Sequence, residues 1–160
     1  MPTAFVEDLD QSVRGQMIDE LNARLVETLD LVLAIKQAHW NIKGPSFIGI
    51  HLLLDEVAHR VREHADTIAE RCVVLGGQAR GTAQVVADTT ALEPYPTEIT
   101  DQRDHVVALK ERLMAYGKAV RDSIATADDA GDYDTADLFT AVSRAVDKDA
   151  WFIGAHAERS

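Results

Sequence analysis

The chain has 160 residues, of which 46% are hydrophobic and 27% charged, and its formal net charge is −11. That length suits a single domain, 1–160, whose core needs neither disulfides nor a structural metal to hold it. The acidic excess repels nucleic acid and anionic membrane while it concentrates cations, which makes metal ions better clients than DNA.

Residues 1–11 carry Glu7, Asp8 and Asp10 without any Lys or Arg, and they read as a short acidic lead-in. They lack the basic and apolar regions of a secretory signal, and no apolar run reaches membrane-spanning length. The one cysteine, Cys72, has no intrachain partner, so a reduced, cytoplasmic setting is expected. Ser12 is the expected cap of a first helix in which Val13, Met17, Leu21, Leu25, Leu29, Val32 and Ile35 keep helical spacing as far as Asn41. Lys43-Gly44-Pro45-Ser46 breaks it.

A second helix begins at Ser46 or Phe47 and ends at Gly76-Gly77. Its apolar set is Leu54, Val57, Val61, Ala65, Ile68, Cys72 and Leu75, which center at about 280° on a helical wheel that starts at His51. The stretch 78–100 is too long for a turn between antiparallel helices, so it crosses the bundle and holds a short helix around Thr82 to Ala87. A third helix starts near Asp101, with Val106, Leu109, Leu113, Tyr116, Val120 and Ile124 inward, and ends in the acidic turn Asp128 to Asp132. A fourth starts at Asp134 or Thr135, packs through Leu138, Ala141, Val142, Ala145, Ala150 and Ile153, and ends near His156. The expected fold is all-α, a four-helix bundle with a long crossover between helices 2 and 3.

The second helix carries a second face. His51, Asp55, Asp66 and Glu70 follow one another at intervals of four, eleven and four residues, which places them near about 0°, 40°, 60° and 100° on the wheel. This stripe of metal-type donors points away from the core stripe. Asp55 and Asp66 stand about 16 Å apart along the axis, so no single ion spans them within one helix. Either the helix carries two half-sites, or a second copy lies antiparallel across a twofold axis and sets His51 and Asp55 of one chain opposite Asp66 and Glu70 of the other. The second arrangement is preferred. His39, at the end of the first helix, comes near the start of the second across the four-residue break. Imidazole with carboxylate suits a first-row divalent metal, with iron and zinc both open on ligand type alone.

These residues resemble the pattern of the Dps-type miniferritins, the starvation-induced branch of the ferritin superfamily. The resemblance rests on Lys36-x-x-His39-Trp40-Asn41, on His51-x3-Asp55-x10-Asp66-x3-Glu70-Arg71, and on Thr135-Ala136-Asp137, Asp147-Lys148 and Trp151-Phe152, and it covers roughly residues 13–156. It implies a ferritin-like bundle assembled as a hollow dodecamer that oxidises ferrous iron, preferentially with hydrogen peroxide, at twofold interfaces. The ferric product is stored as mineral and hydroxyl-radical production is suppressed. It further implies that His39, His51, Asp55 and Glu70 are iron ligands, that Asp66 orients an imidazole or water, and that Trp40 is a radical sink or an interface aromatic; on ligand type, zinc is the expected substitute. By the same resemblance Asp137 lines a threefold entry pore, with Asp128 and Asp134 as further candidates.

His59 shares the ligand stripe and falls close to the midpoint of the antiparallel pair, where it and Arg62 meet their symmetry mates as an extra ligand or a pH-sensitive contact. His64 is expected at the core boundary, and His105 and His156 at the surface or a helix end. DNA compaction, the alternative function, is disfavoured because no Lys-rich tail exists: the first basic residue is Arg14, and the last nine residues hold only Arg159 against Glu158. A structural bundle without iron chemistry is disfavoured by the intact donor set.

Overall fold

The computed structural model describes residues 3–157, and over these the chain is built from helices α1 (Gln11–Asn41), α2 (Phe47–Val74), α3 (Ala83–Thr89), α4 (Gln102–Asp129) and α5 (Tyr133–Gly154). A 3-10 turn, Ala155–Ala157, follows and carries His156. The long helices form two hairpins, α1 with α2 and α4 with α5, which close on each other through α1 against α4 and α2 against α5. This is the expected four-helix bundle, with α3 in the crossover packing on α1 through the buried Val86. No helix among the described residues is long and apolar enough to cross a membrane.

The core forms where the 3.6-residue period places it. All seven inward residues expected of α2, from Leu54 to Leu75, are buried, and so are Met17, Leu21, Leu25, Val32 and Ile35 of α1. Two polar groups enter this core as a matched pair: Thr28 and Tyr116 share a hydrogen bond of 2.6 Å at the α1–α4 contact. Burial drives the Tyr116 phenol pKa strongly upward, so it stays protonated.

Three sequence expectations are corrected. α1 starts ahead of Ser12, because Arg14 N–H already bonds to the Asp10 carbonyl at 2.9 Å, and neither Ser12 nor Asp10 caps it with a side chain. In α5 the buried seam runs through Phe139, Val142, Val146, Ala150 and Ile153, while Ala141 is exposed. Val142, Ala150 and Ile153 of the expected set are in this seam and Leu138 packs at its edge, while Phe139 and Val146 take the inward places expected of Ala141 and Ala145. His105 is not at the surface. It is 1% exposed, covered by the crossover, whose Tyr95 hydroxyl shares a 2.7 Å hydrogen bond with its Nδ1. Burial lowers the His105 pKa and keeps the ring neutral.

The end of the crossover also grips the α1–α2 turn. Lys43 N–H donates to the Thr100 carbonyl and Gln102 N–H to the Lys43 carbonyl, both at 2.8 Å. The Gln102 side-chain oxygen accepts from Ser46 N–H at 2.9 Å. Gly44 allows this approach, since a Cβ there would stand 2.5 Å from the Gln102 side chain. The turn sets the spacing between the last residues of α1 and the first of α2.

Candidate metal centre

Across that turn His39 and His51 stack face to face, with ring centroids 3.8 Å apart and planes 15° from parallel. Each Nδ1 lies 2.7 Å from the other residue's backbone carbonyl oxygen. A carbonyl only accepts, so both Nδ1 atoms carry the proton and both Nε2 atoms present a lone pair. That is the tautomer a metal-ligating histidine needs, fixed by its second nitrogen before any metal arrives. Phe47 leans on His51 with its ring centroid 5.0 Å away.

Asp55 stands one turn beyond His51 and is exposed. Lys36 of α1 bonds its carboxylate at 2.7 Å and also lies 5.7 Å from the Trp40 ring center. The Lys36 hydrogen bond and charge hold the Asp55 carboxyl below the usual carboxylate range. This Lys36–Asp55 pair is a contact that a sequence does not display, because it depends on the crossing of α1 and α2.

Asp66 and Glu70 lie exposed on the same side of α2 toward its far end. The structure thus brings His39 and His51 together with Asp55 close by, and it keeps Asp66 and Glu70 apart from them within one chain. Among the described residues no three His, Cys, Asp or Glu side chains of a single chain converge on one metal position. Exposed apolar side chains neighbour the histidines in sequence: Leu33 and Trp40 on α1, Ile48 and Leu52 on α2. Two open grooves flank the outer ridge of α2. One, of about 640 Å³, is lined by Lys36, Asp55, His59 and Arg62, and the other, of about 480 Å³, by Leu25, Leu29, His59, Arg62 and Asp66.

The remaining candidates fall elsewhere. Asp128, Asp134 and Asp137 are exposed around the α4–α5 turn. Between them Asp132, 2% exposed, accepts from Thr135 N–H and from Arg71 Nη2 at 2.8 Å, while Arg71 Nε donates to Thr135 Oγ1 at 3.0 Å. This anchor was not expected from the sequence, and its only signal there is an Asp three residues ahead of Thr135, the spacing of a helix cap. His64 is half-buried, and burial lowers its pKa. Glu158 and Arg159 lie outside the described residues.

The pattern of the ferritin-like domain matches residues 18–160. The DNA protection during starvation protein of Agrobacterium fabrum is 48% identical over 151 residues, which span 94% of this chain and 93% of that protein. Among solved structures, a tetragonal form of Mycobacterium smegmatis Dps aligns over 100% of this chain and 96% of its own, with a TM-score of 0.94 and 31% identity. DpsC from Streptomyces coelicolor aligns with the same TM-score at 30% identity, over 100% of this chain and 94% of its own.

Proposed function

Because this chain belongs to the Dps-type miniferritins of the ferritin-like family, we propose that it is a ferroxidase and iron store, working as a hollow cage of identical subunits, a dodecamer. Ferrous iron is its substrate. The observation that carries this reading is the paired His39 and His51, whose lone-pair Nε2 atoms open one end of a donor stripe that Asp66 and Glu70 continue at the other.

In the proposed assembly two α2 helices run antiparallel across a twofold axis. His39, His51 and Asp55 of one chain then share iron with Asp66 and Glu70 of the partner, giving two equivalent sites. The exposed Leu33, Trp40, Ile48 and Leu52 supply apolar surface that such a partner would cover. Mixed imidazole and carboxylate donors leave positions open to the oxidant. With hydrogen peroxide as oxidant, the O–O bond accepts one electron from each of two ferrous ions and breaks, and with two protons from solvent it yields two waters and two ferric ions, so no hydroxyl radical is released. Trp40, exposed beside His39, is placed to take up a stray oxidising equivalent. Asp137, with Asp128 and Asp134 near it, offers a carboxylate-lined entry for iron into the cage, and a cytoplasmic location suits a substrate that is ferrous.

The test is anaerobic addition of ferrous iron and then peroxide to the assembled protein, following ferric absorbance. Rapid oxidation that His39→Ala and Asp55→Ala each abolish, and that zinc inhibits by taking the same donors without redox chemistry, supports the assignment. Unchanged rates in both variants would remove it.

A further inference from the structure

The outer ridge of α2 carries Asp55, His59, Arg62 and Asp66, all exposed. Their spacing of four, three and four residues reads the same in both directions. An antiparallel copy that sets Asp55 opposite the partner's Asp66 therefore also sets His59 opposite the partner's Arg62, with the axis passing between them. Five of the chain's eleven arginines hold a carboxylate: Arg24 holds Glu27, Arg60 holds Asp149, Arg71 holds Asp132, Arg112 holds Asp30 and Arg121 holds Asp147. Arg62 makes no ion pair or side-chain hydrogen bond among the described residues, although it lines both grooves beside α2. One turn past His59, Glu63 lies 3.4 Å from the imidazole Nε2 through one carboxylate oxygen, and it too makes no bond to a cationic Lys or Arg.

Side chains on a helix lean toward its N-terminus. From its place opposite the partner's His59, Arg62 leans toward the level of the partner's Glu63, about 6 Å farther along the axis and within reach of a guanidinium. We infer that Arg62 of each copy is received by the partner's Glu63, held in place by the partner's His59, so that two reciprocal ion pairs at the twofold axis fix the register that joins Asp55 to Asp66. This rests on the shared-site reading above. A cation between the two His59 rings is the poorer alternative, because each imidazole faces an arginine that repels a bound metal. The device specifies a second copy of this chain, since a partner lacking the complementary order of charges would set like charges face to face.

Charge reversal tests it. Arg62→Glu alone and Glu63→Arg alone each place like charges at both contacts, and each should raise the concentration at which the assembly dissociates by roughly tenfold or more, as read by native mass spectrometry and sedimentation, with helicity unchanged in circular dichroism. Mixing the two variants in equal amounts restores both contacts, and so does the double variant R62E/E63R, so each should reassemble as wild type does. Single variants that assemble like wild type would overturn the inference, and so would single variants that neither mixing nor the double change repairs. If the lock falls in this way while wild-type cages oxidise iron and Glu70→Ala cages do not, the shared site stands without it. A wild-type protein that remains monomeric would remove both.

Discussion

His39 and His51 are joined twice, each ring Nδ1–H donating to the other residue's carbonyl oxygen at 2.7 Å. The pair therefore ties the last turn of α1 to the first turn of α2 as well as presenting two metal-ready nitrogens. His51→Ala should lower stability to urea by ~1–3 kcal/mol, because it removes one bond and leaves the His39 carbonyl short of a donor. His51→Gln should recover part of that stability and none of the iron oxidation. A variant that kept both would show that the imidazole is not a ligand.

Lys36 holds the Asp55 carboxylate at 2.7 Å. In Lys36→Met the Asp55 carboxyl loses the contact that depresses its pKa, so protons compete for it at higher pH. The acid limb of ferrous or cobalt binding should move upward in pH. At neutral pH the same variant should bind metal more tightly, since no side chain has to be displaced. Calorimetric titration across pH measures both effects.

Asp132 joins the start of α5 to Arg71 of α2 from a buried position. Asp132→Ala removes a helix cap and strands a mostly buried guanidinium, and the expected loss is ~3 kcal/mol or more in denaturant unfolding. Asp134→Ala and Asp137→Ala, both exposed, should leave stability nearly unchanged and slow iron uptake. Uptake at the wild-type rate in the two together would remove these residues from the entry path.

His105 is buried, and burial depresses its pKa below the ordinary 6.5, as it does for His64. Between the depressed folded value and 6.5 the unfolded chain binds protons that the folded chain refuses, so stability falls as pH drops through that window. His105→Gln should flatten this slope in urea unfolding measured from pH 7.5 down to about 5. An unchanged slope would show that His105 takes up a proton in the folded state.

DNA should not be retarded on gels at moderate salt, because a chain of net charge −11 has little to neutralise phosphates with. A stable complex under those conditions would contradict this.

The sequence displayed whatever one helix projects onto its own surface. The α2 core stripe and the His51, Asp55, Asp66, Glu70 stripe were legible because a 3.6-residue period converts spacing into direction. What depended on a second element was hidden. Lys36 reaches Asp55 only once α1 and α2 cross, and the two histidines bond each other's carbonyls only because a short turn holds them level. His105 was misread because its cover, Tyr95, comes from a crossover whose path follows no periodicity. Half of the α5 face was legible, in Val142, Ala150 and Ile153, and the rest was not for a related reason: Leu138, Ala141 and Ala145 form a plausible stripe alone, and only packing against the rest of the bundle selects Phe139 and Val146.

Gln102 begins α4 more than fifty residues after the histidines, yet it fills the space that Gly44 leaves and bonds to Ser46. The separation of the two imidazoles is thus governed from a distant part of the chain. A proteolytic nick between Thr90 and Thr100, or a circular permutation that opened the chain there, would cut the strap that holds this hinge shut while every donor atom stayed in place.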